Sequence, residues 1–141
     1  PAYAVRDETS RGTPGAPGLT LGLLPGGAAQ GIAFTVRDAD DLWPAWKQEM
    51  APGHYLPAWL PLEDGAVALS FLADPASRLY AGPLPEAEIL AVLARAEGPQ
   101  GTARDYLART AAALRQMGRP DPMLDRLDRS LTAAAPARSP A

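Results

Sequence analysis

The chain has 141 residues, 47% of them hydrophobic and 21% charged, with a formal net charge of −3. That length suits one domain with a real core, and that charge gives no electrostatic case for nucleic acid or an anionic membrane. No apolar run approaches the roughly 20 residues that span a bilayer. There are no cysteines and a single histidine, His54, so disulfides, thiolate centres and His-rich metal sites are excluded. No motif asks for a metal or any other cofactor, and His54 is expected in a solvated turn. The chain begins at Pro1, without a methionine or a signal peptide, inside the extended-looking run PAYAVRDE. The expectation is that at least one strand precedes it.

Taken in order, Ala2 to Arg6 alternates like a short strand. Residues 7–18, DETSRGTPGAPG, carry loop chemistry: prolines, glycines and polar caps. Such a loop either connects elements or offers backbone N–H groups to a ligand. Leu19 to Leu24 is a strand, with Gly22 marking a bulge or a close backbone approach. Pro25-Gly26-Gly27 turns the chain, and Gly31 to Val36 is expected to pair back as a hairpin. The glycine-rich PGGAAQG lacks a following Gly-Lys-Ser/Thr and is not a phosphate-binding loop.

The central stretch is LWPAWKQEMAPGHY, residues 42–55. Asp38 or Asp40 caps a helix there, with Asp41 in its first turn. Pro44 places the start near Asp41, and Pro52-Gly53 stop the helix after Met50. Leu42, Trp43, Trp46 and Met50 fall on one apolar stripe. Glu49 is then an ionisable group at a helix end, beside aromatic residues and facing a turn. It is either a solvated helix-end charge or a partly desolvated carboxylate suited to general-base work.

Tyr55 to Leu62 is a strand that Pro57 and Pro61 consign to an edge or a bulge. Glu63-Asp64-Gly65 makes a hairpin turn into an apolar, central strand from Ala66 to Leu72. Asp74 to Ser77 closes it. A helix runs from Leu84-Pro85-Glu86 to about Ala96, with Ile89, Leu90 and Leu93 on one face. Gly98-Pro99-Gln100-Gly101 breaks it. Thr102 caps the next helix, which carries Tyr106, Leu107, Leu114 and Met117 and ends at Gly118. A last short helix after Pro120-Asp121-Pro122 shows Leu124, Leu127 and Leu131. Residues 133–141 lack periodicity and are expected to be a disordered tail. Strands first and helices last predict an α+β domain, with short strands wrapped into a closed or nearly closed sheet.

Several segments, in order, resemble the ChaC-like, glutathione-specific γ-glutamylcyclotransferase family. Arg11-Gly12-Thr13-Pro14, Ala16-Pro17-Gly18, LTLGLLPGG and Gly31-Ile32-Ala33-Phe34 look like its first half. Trp46 to Met50 with Gly53 and Tyr55 resembles its LW-x-x-EM-x-x-G-x-Y segment. Ala68-Leu69-Ser70-Phe71 with Tyr80-Ala81-Gly82, and Gly98 to Gly101 with Tyr106-Leu107, resemble two further segments. The matches run from Tyr3 to Leu127.

The resemblance implies a γ-glutamylcyclotransferase-like fold over residues 1–132, a small mixed barrel-like sheet with helices around it. It implies a lyase that cleaves glutathione to 5-oxoproline and cysteinylglycine, without cofactor, by attack of the substrate's own α-amine on its γ-carbonyl. Ring closure supplies proximity, and one carboxyl group serves first as base and then as acid. That role falls on Glu49. Tyr55 and Tyr106 fall on family tyrosines that offer hydroxyls to the substrate; the alternative is core tyrosines with a satisfied O–H. Arg11 matches a substrate carboxylate, or else pairs locally.

There are departures from the family. Its Tyr-Gly-Ser-Leu loop, which holds the γ-glutamyl group, is absent, and it is expected upstream of Pro1. The stretch between Val36 and Leu42 is short, and the usual arginine before the glutamate is Gln48. Two alternatives remain: a cyclotransferase for other γ-glutamyl amines or peptides, and an inactive binding domain of the same fold. The expected partner is a small molecule, not nucleic acid or membrane, and the expected location is cytoplasmic, where glutathione is.

Overall fold

The computed structural model describes residues 2–134. In chain order it contains β1 (Ala2–Asp7), β2 (Gly18–Gly22), α1 (Ala39–Met50), β3 (Tyr55–Pro61), β4 (Val67–Ala73), α2 (Glu86–Leu93), β5 (Glu97–Gly98), β6 (Gly101–Thr102), α3 (Ala103–Gln116) and α4 (Pro122–Ala133). The α+β class holds. The expected barrel-like sheet is corrected, however: the described strands form three separate two-stranded sheets, β1–β2, β3–β4 and β5–β6. Two compact units divide the chain, one of residues 2–5 and 21–83, the other of residues 6–20 and 84–134.

In the first unit, β3 and β4 form an antiparallel hairpin from Tyr55↔Ala73 to Pro61↔Val67. Gly65 takes φ +86° at its turn, a conformation that needs glycine. The Asp64 carboxylate accepts from the Ala66 amide at 3.0 Å. Among the described residues β3 is the only strand laddered to β4, so β4 is not the central strand expected of it. Leu23 adds a single parallel bridge to Leu72, and the Ala73 amide donates to the Leu23 carbonyl at 2.9 Å. Val5, Ala73 and Leu79 form a small buried cluster, with Leu24, Tyr55 and Tyr80 against it. Gly22 is a close approach: a Cβ there would lie 3.1 Å from the Ala73 Cβ and 3.2 Å from the Val5 Cγ2.

Residues 31–36 are not the predicted strand. Leu23, which that hairpin would pair with them, bonds to the β4 end instead. The alternation of Ile32, Phe34 and Val36 therefore buries nothing, and Phe34 is 84% exposed.

The second unit is mainly helical. Thr102 caps α3 as expected, its side chain accepting from the Asp105 amide at 3.0 Å. Gly118, at φ +69°, ends the helix: its amide donates to the Arg115 carbonyl at 3.0 Å, and the Arg119 amide to that of Leu114 at 2.9 Å. Those two bonds satisfy carbonyls the helix end would otherwise leave unpaired. Asp121 caps α4 through the amides of Met123 and Leu124, and Pro122 takes the first helical position. Ile89 and Leu93 of α2, Ala103, Leu107, Ala111 and Leu114 of α3, and Leu124, Leu127 and Leu131 of α4 are buried. Met117, at the α3 C-cap, is exposed. α2 stops at Leu93, and the predicted break after it is the small β5–β6 hairpin. α4 reaches Ala133, where the tail was expected to begin; residues 135–141 of that expectation lie outside the described residues.

Candidate functional site

Glu49 stands in the last turn of α1. The helix starts at Ala39, two residues earlier than expected, because the Asp38 carboxylate caps it by accepting from the Asp40 amide at 3.1 Å. Pro44 therefore lies past the first turn. Gly53, at φ +69°, takes the chain out of the helix, its amide donating to the Met50 carbonyl at 3.2 Å. Trp46 fixes the helix to the hairpin: its ring packs edge-on against Phe71, with centroids 6.0 Å apart. Trp43, predicted on the same stripe, is 56% exposed and instead lies under the Lys47 ammonium, 5.8 Å from its centroid. Positions 43 and 47 are one turn apart, which brings them together on the outer face.

Glu49 is half-buried. Its one hydrogen-bond partner among the described residues is Gln48, whose amide nitrogen donates to Oε1 at 3.4 Å. No lysine, arginine or histidine pairs with it among those residues. A carboxylate in the last turn of a helix opposes the macrodipole and does nothing for helix stability. The side chain is thus held by its backbone and left chemically available.

Tyr55 opens β3 across the short turn from Glu49. It is half-buried against the Val5–Ala73–Leu79 cluster. The His54 ring meets it edge-on, with centroids 4.2 Å apart, so His54 is half-buried rather than in the solvated setting expected of it. The His54 carbonyl accepts from the Asp74 amide at 3.0 Å, which continues the β3–β4 ladder by one bond.

Arg11 and Tyr106 belong to the second unit, which brings these two together. The Arg11 guanidinium lies over the Tyr106 ring, 5.9 Å from its centroid. It also donates to the Gln100 carbonyl. The Gln100 amide in turn donates to the Ser10 carbonyl at 2.9 Å. Residues 10 and 11 thus grip both faces of one peptide residue in the β5–β6 turn.

The glycines of this region have a steric cause. A Cβ on Gly98 would lie 2.5 Å from the Ser10 carbonyl oxygen and 2.6 Å from the Gly12 nitrogen. One on Gly12 would lie 2.4 Å from the Asp7 carbonyl oxygen, and one on Gly18 2.5 Å from that of Arg11. Backbone meets backbone at each, so only glycine fits.

Asp7 is the residue that the sequence reading missed. Its side chain turns inward, and the residue is only 8% exposed. Oδ1 accepts from the amides of Thr9 and Ser10 at 2.9 and 2.8 Å, and Oδ2 from the Arg11 amide at 2.9 Å. The signal available was Asp followed by Thr-Ser at turn spacing, since aspartate readily bonds amides two residues on. These amides serve Asp7 and are not ligand donors. Thr13 and Ala16 bond one another across Pro14-Gly15, at 3.1 and 3.0 Å. Among the described residues, no group of three or more His, Cys, Asp or Glu could hold a metal ion. No described helix is long and apolar enough to cross a membrane.

This architecture is that of the γ-glutamylcyclotransferase fold. A crystal structure of a selenomethionine-labelled γ-glutamylcyclotransferase specific to glutathione, from yeast, superposes with a TM-score of 0.70 at 17% identity, covering 94% of this chain and 82% of that one. A second structure of the yeast enzyme gives 0.65 at 17% identity, covering 94% and 84%. The family model described as ChaC-like protein matches residues 2–134, and the chain belongs to that family. It is 35% identical to the glutathione-specific γ-glutamylcyclotransferase of Escherichia coli (strain K12), over 89% of this chain and 58% of that protein. The chain therefore spans under two thirds of the length of that curated relative.

Proposed function

We propose that the protein is a γ-glutamylcyclotransferase that cleaves glutathione to 5-oxoproline and cysteinylglycine, with Glu49 as general acid and base. The observation that carries this reading is the Glu49 carboxylate itself: half-buried, bonded only to Gln48 among the described residues, and placed where it does not stabilise its helix. The ChaC-like membership and the name of the Escherichia coli relative support the choice of substrate.

The reaction needs one proton acceptor that later gives the proton back. The carboxylate takes a proton from the substrate's α-ammonium. The freed amine nitrogen attacks the γ-carbonyl carbon, forming the new C–N bond of the five-membered ring and placing negative charge on the oxygen. Collapse breaks the bond to the cysteinyl nitrogen, which takes the proton from Glu49; the second proton of the ring nitrogen then passes to the carboxylate and on to the released amine, leaving a neutral lactam and a cysteinyl ammonium. No water is consumed, and glutathione divides into its two products with atoms balanced. Because attack is intramolecular, folding the γ-glutamyl chain back supplies much of the advantage.

In this reading Tyr55 and Tyr106 offer hydroxyls to the substrate and Arg11 offers its guanidinium to a substrate carboxylate. Arg11 uses one N–H on Gln100, and the rest of its fork has no acceptor among the described residues. The domain extends over residues 1–132, and the protein works in the cytoplasm, where its substrate is found.

The test is 5-oxoproline release from glutathione, with γ-glutamyl amino acids as competing substrates. Release from glutathione that is lost in Glu49→Gln supports the proposal. Release only from other γ-glutamyl compounds would reassign the substrate, and none from any, with the protein folded, would leave a binding domain of this fold.

A further inference from the structure

We infer that Asp7 is a positioning residue: it fixes the loop that carries Arg11 and so sets where the Arg11 guanidinium meets Gln100 and Tyr106. This rests on the binding role proposed above for Arg11 and Tyr106. Asp7 is the one buried charged residue among the described residues. Burying a carboxylate is unfavourable unless hydrogen bonds replace its water. Here three backbone amides do so, and no cationic side chain pairs with it among the described residues.

The division of donors explains why the residue is an aspartate. Oδ1 serves Thr9 and Ser10, and Oδ2 serves Arg11 alone. A turn that needed only the first two amides would accept asparagine or serine. Asparagine has one acceptor oxygen, so its amide group would face either the Arg11 N–H or the other two, donor against donor. Oδ2 thus selects the carboxylate, and its partner is the residue whose side chain reaches the β5–β6 turn.

From there the chain of contacts is short. Ser10 accepts from the Gln100 amide, Arg11 donates to the Gln100 carbonyl, and the same guanidinium covers Tyr106 one turn into α3. Gly12 and Gly98 let these backbones close to a distance that a Cβ would forbid.

The test compares wild type, Asp7→Asn, Arg11→Ala and the double variant. The first measurement uses no substrate: amide hydrogen exchange at Arg11 and the NMR resonances of the Tyr106 ring. Asp7→Asn should speed exchange at Arg11 by about tenfold or more, with the amides of Leu124 and Leu127 unchanged. It should also move the Tyr106 ring resonances in the direction that Arg11→Ala moves them. The second measurement is 5-oxoproline release. Asp7→Asn should raise KM about tenfold with kcat within about twofold, and adding it to Arg11→Ala should raise KM no further.

A folded Asp7→Asn with unaltered Arg11 exchange and Tyr106 resonances would overturn the inference, as would additive effects on KM. If Arg11→Ala alone leaves KM unchanged, the binding role of Arg11 fails, and the exchange and ring measurements still decide the positioning. Asp7→Ser, which keeps an acceptor for the nearer amides, replaces Asp7→Asn if the latter does not fold. Loss of the fold in both would assign Asp7 a structural role only and overturn the inference.

Discussion

The Arg11 guanidinium stacks over Tyr106 at 5.9 Å while donating to the Gln100 carbonyl, which ties the loop after β1 to the start of α3. A cation over an aromatic face at a half-buried site contributes about 0.5–1 kcal/mol. A double-mutant cycle of Arg11→Ala and Tyr106→Leu should therefore show coupling of about that size in chemical denaturation. Coupling indistinguishable from zero would mean that the two side chains are neighbours without an energetic link.

Gly98 and Gly15 make a matched pair for testing the close approach. Alanine at 98 would press a methyl group against backbone atoms of Ser10 and Gly12, which cannot swing aside. Gly98→Ala should destabilise the fold by about 1–3 kcal/mol. At Gly15 a Cβ meets nothing within 4 Å. Gly15→Ala should be neutral or stabilise by up to about 1 kcal/mol, through the unfolded chain. Equal midpoints for the two variants in urea would contradict the packing described here.

What the sequence made legible follows from range. Thr102 and Gly118 act on backbone groups within a turn of themselves, so the boundaries of α3 could be read directly, and Pro120-Asp121-Pro122 marked the start of α4. The Glu63-Asp64-Gly65 turn fixed the β3–β4 hairpin in the same way, and Glu49 could be placed on a helix end by Pro52 and Gly53. The failures are non-local. Residues 31–36 have strand composition, but a strand needs a partner, and Leu23 bonds elsewhere. Trp43 and Trp46 look alike in a periodic pattern; only Phe71 distinguishes them. Arg11 and Tyr106 are far apart in sequence, and no spacing rule joins them. Asp7 looked like any acid in a polar loop, because inward rotation of a side chain leaves no mark on composition.

The exposed apolar residues of the first unit and the buried leucines of the second should differ sharply in their response to truncation. Leu107 is fully buried, and Leu107→Ala should cost about 2–5 kcal/mol through lost contacts and the cavity left behind. Phe34 and Trp59 are 84% and 70% exposed. Phe34→Ser and Trp59→Ser should change stability by less than about 0.5 kcal/mol. A large loss of stability in either serine variant would show that these rings are covered in solution.

Arg115 bridges two aspartates of α4, through Nε to Asp125 and Nη2 to Asp128, both at 2.8 Å. The hydrogen bonds to Asp128 and then Asp125 raise its already high pKa further. A raised folded-state value means stabilisation that is complete below the ordinary arginine range and is lost only as pH climbs through the raised value. Arginine titration therefore adds no slope to stability between about pH 6 and 10. Arg115→Gln should lower Tm by the same amount at both ends of that range. The difference should shrink at about 1 M salt, because the bridge is exposed and screened. A deficit that grew with salt would point to lost packing instead.

Glu49 gives the sharpest separation between fold and chemistry. Its carboxylate has a 3.4 Å bond to Gln48 and no ion pair among the described residues, so removing its charge should leave the structure intact. Glu49→Gln should keep the wild-type stability within about 0.5 kcal/mol, as expected of a substitution that breaks no buried network. It should reduce 5-oxoproline release to background, because an amide can neither take the proton from the α-ammonium nor return it to the leaving nitrogen. Glu49→Asp keeps the acid–base group but withdraws it by one methylene. Misplacement on the order of 1 Å costs about a hundredfold in rate, so this variant should remain measurable and slow. The order Glu, then Asp, then Gln distinguishes a proton carrier from a binding contact: a carboxylate that only held substrate would show its loss in KM, with kcat largely preserved.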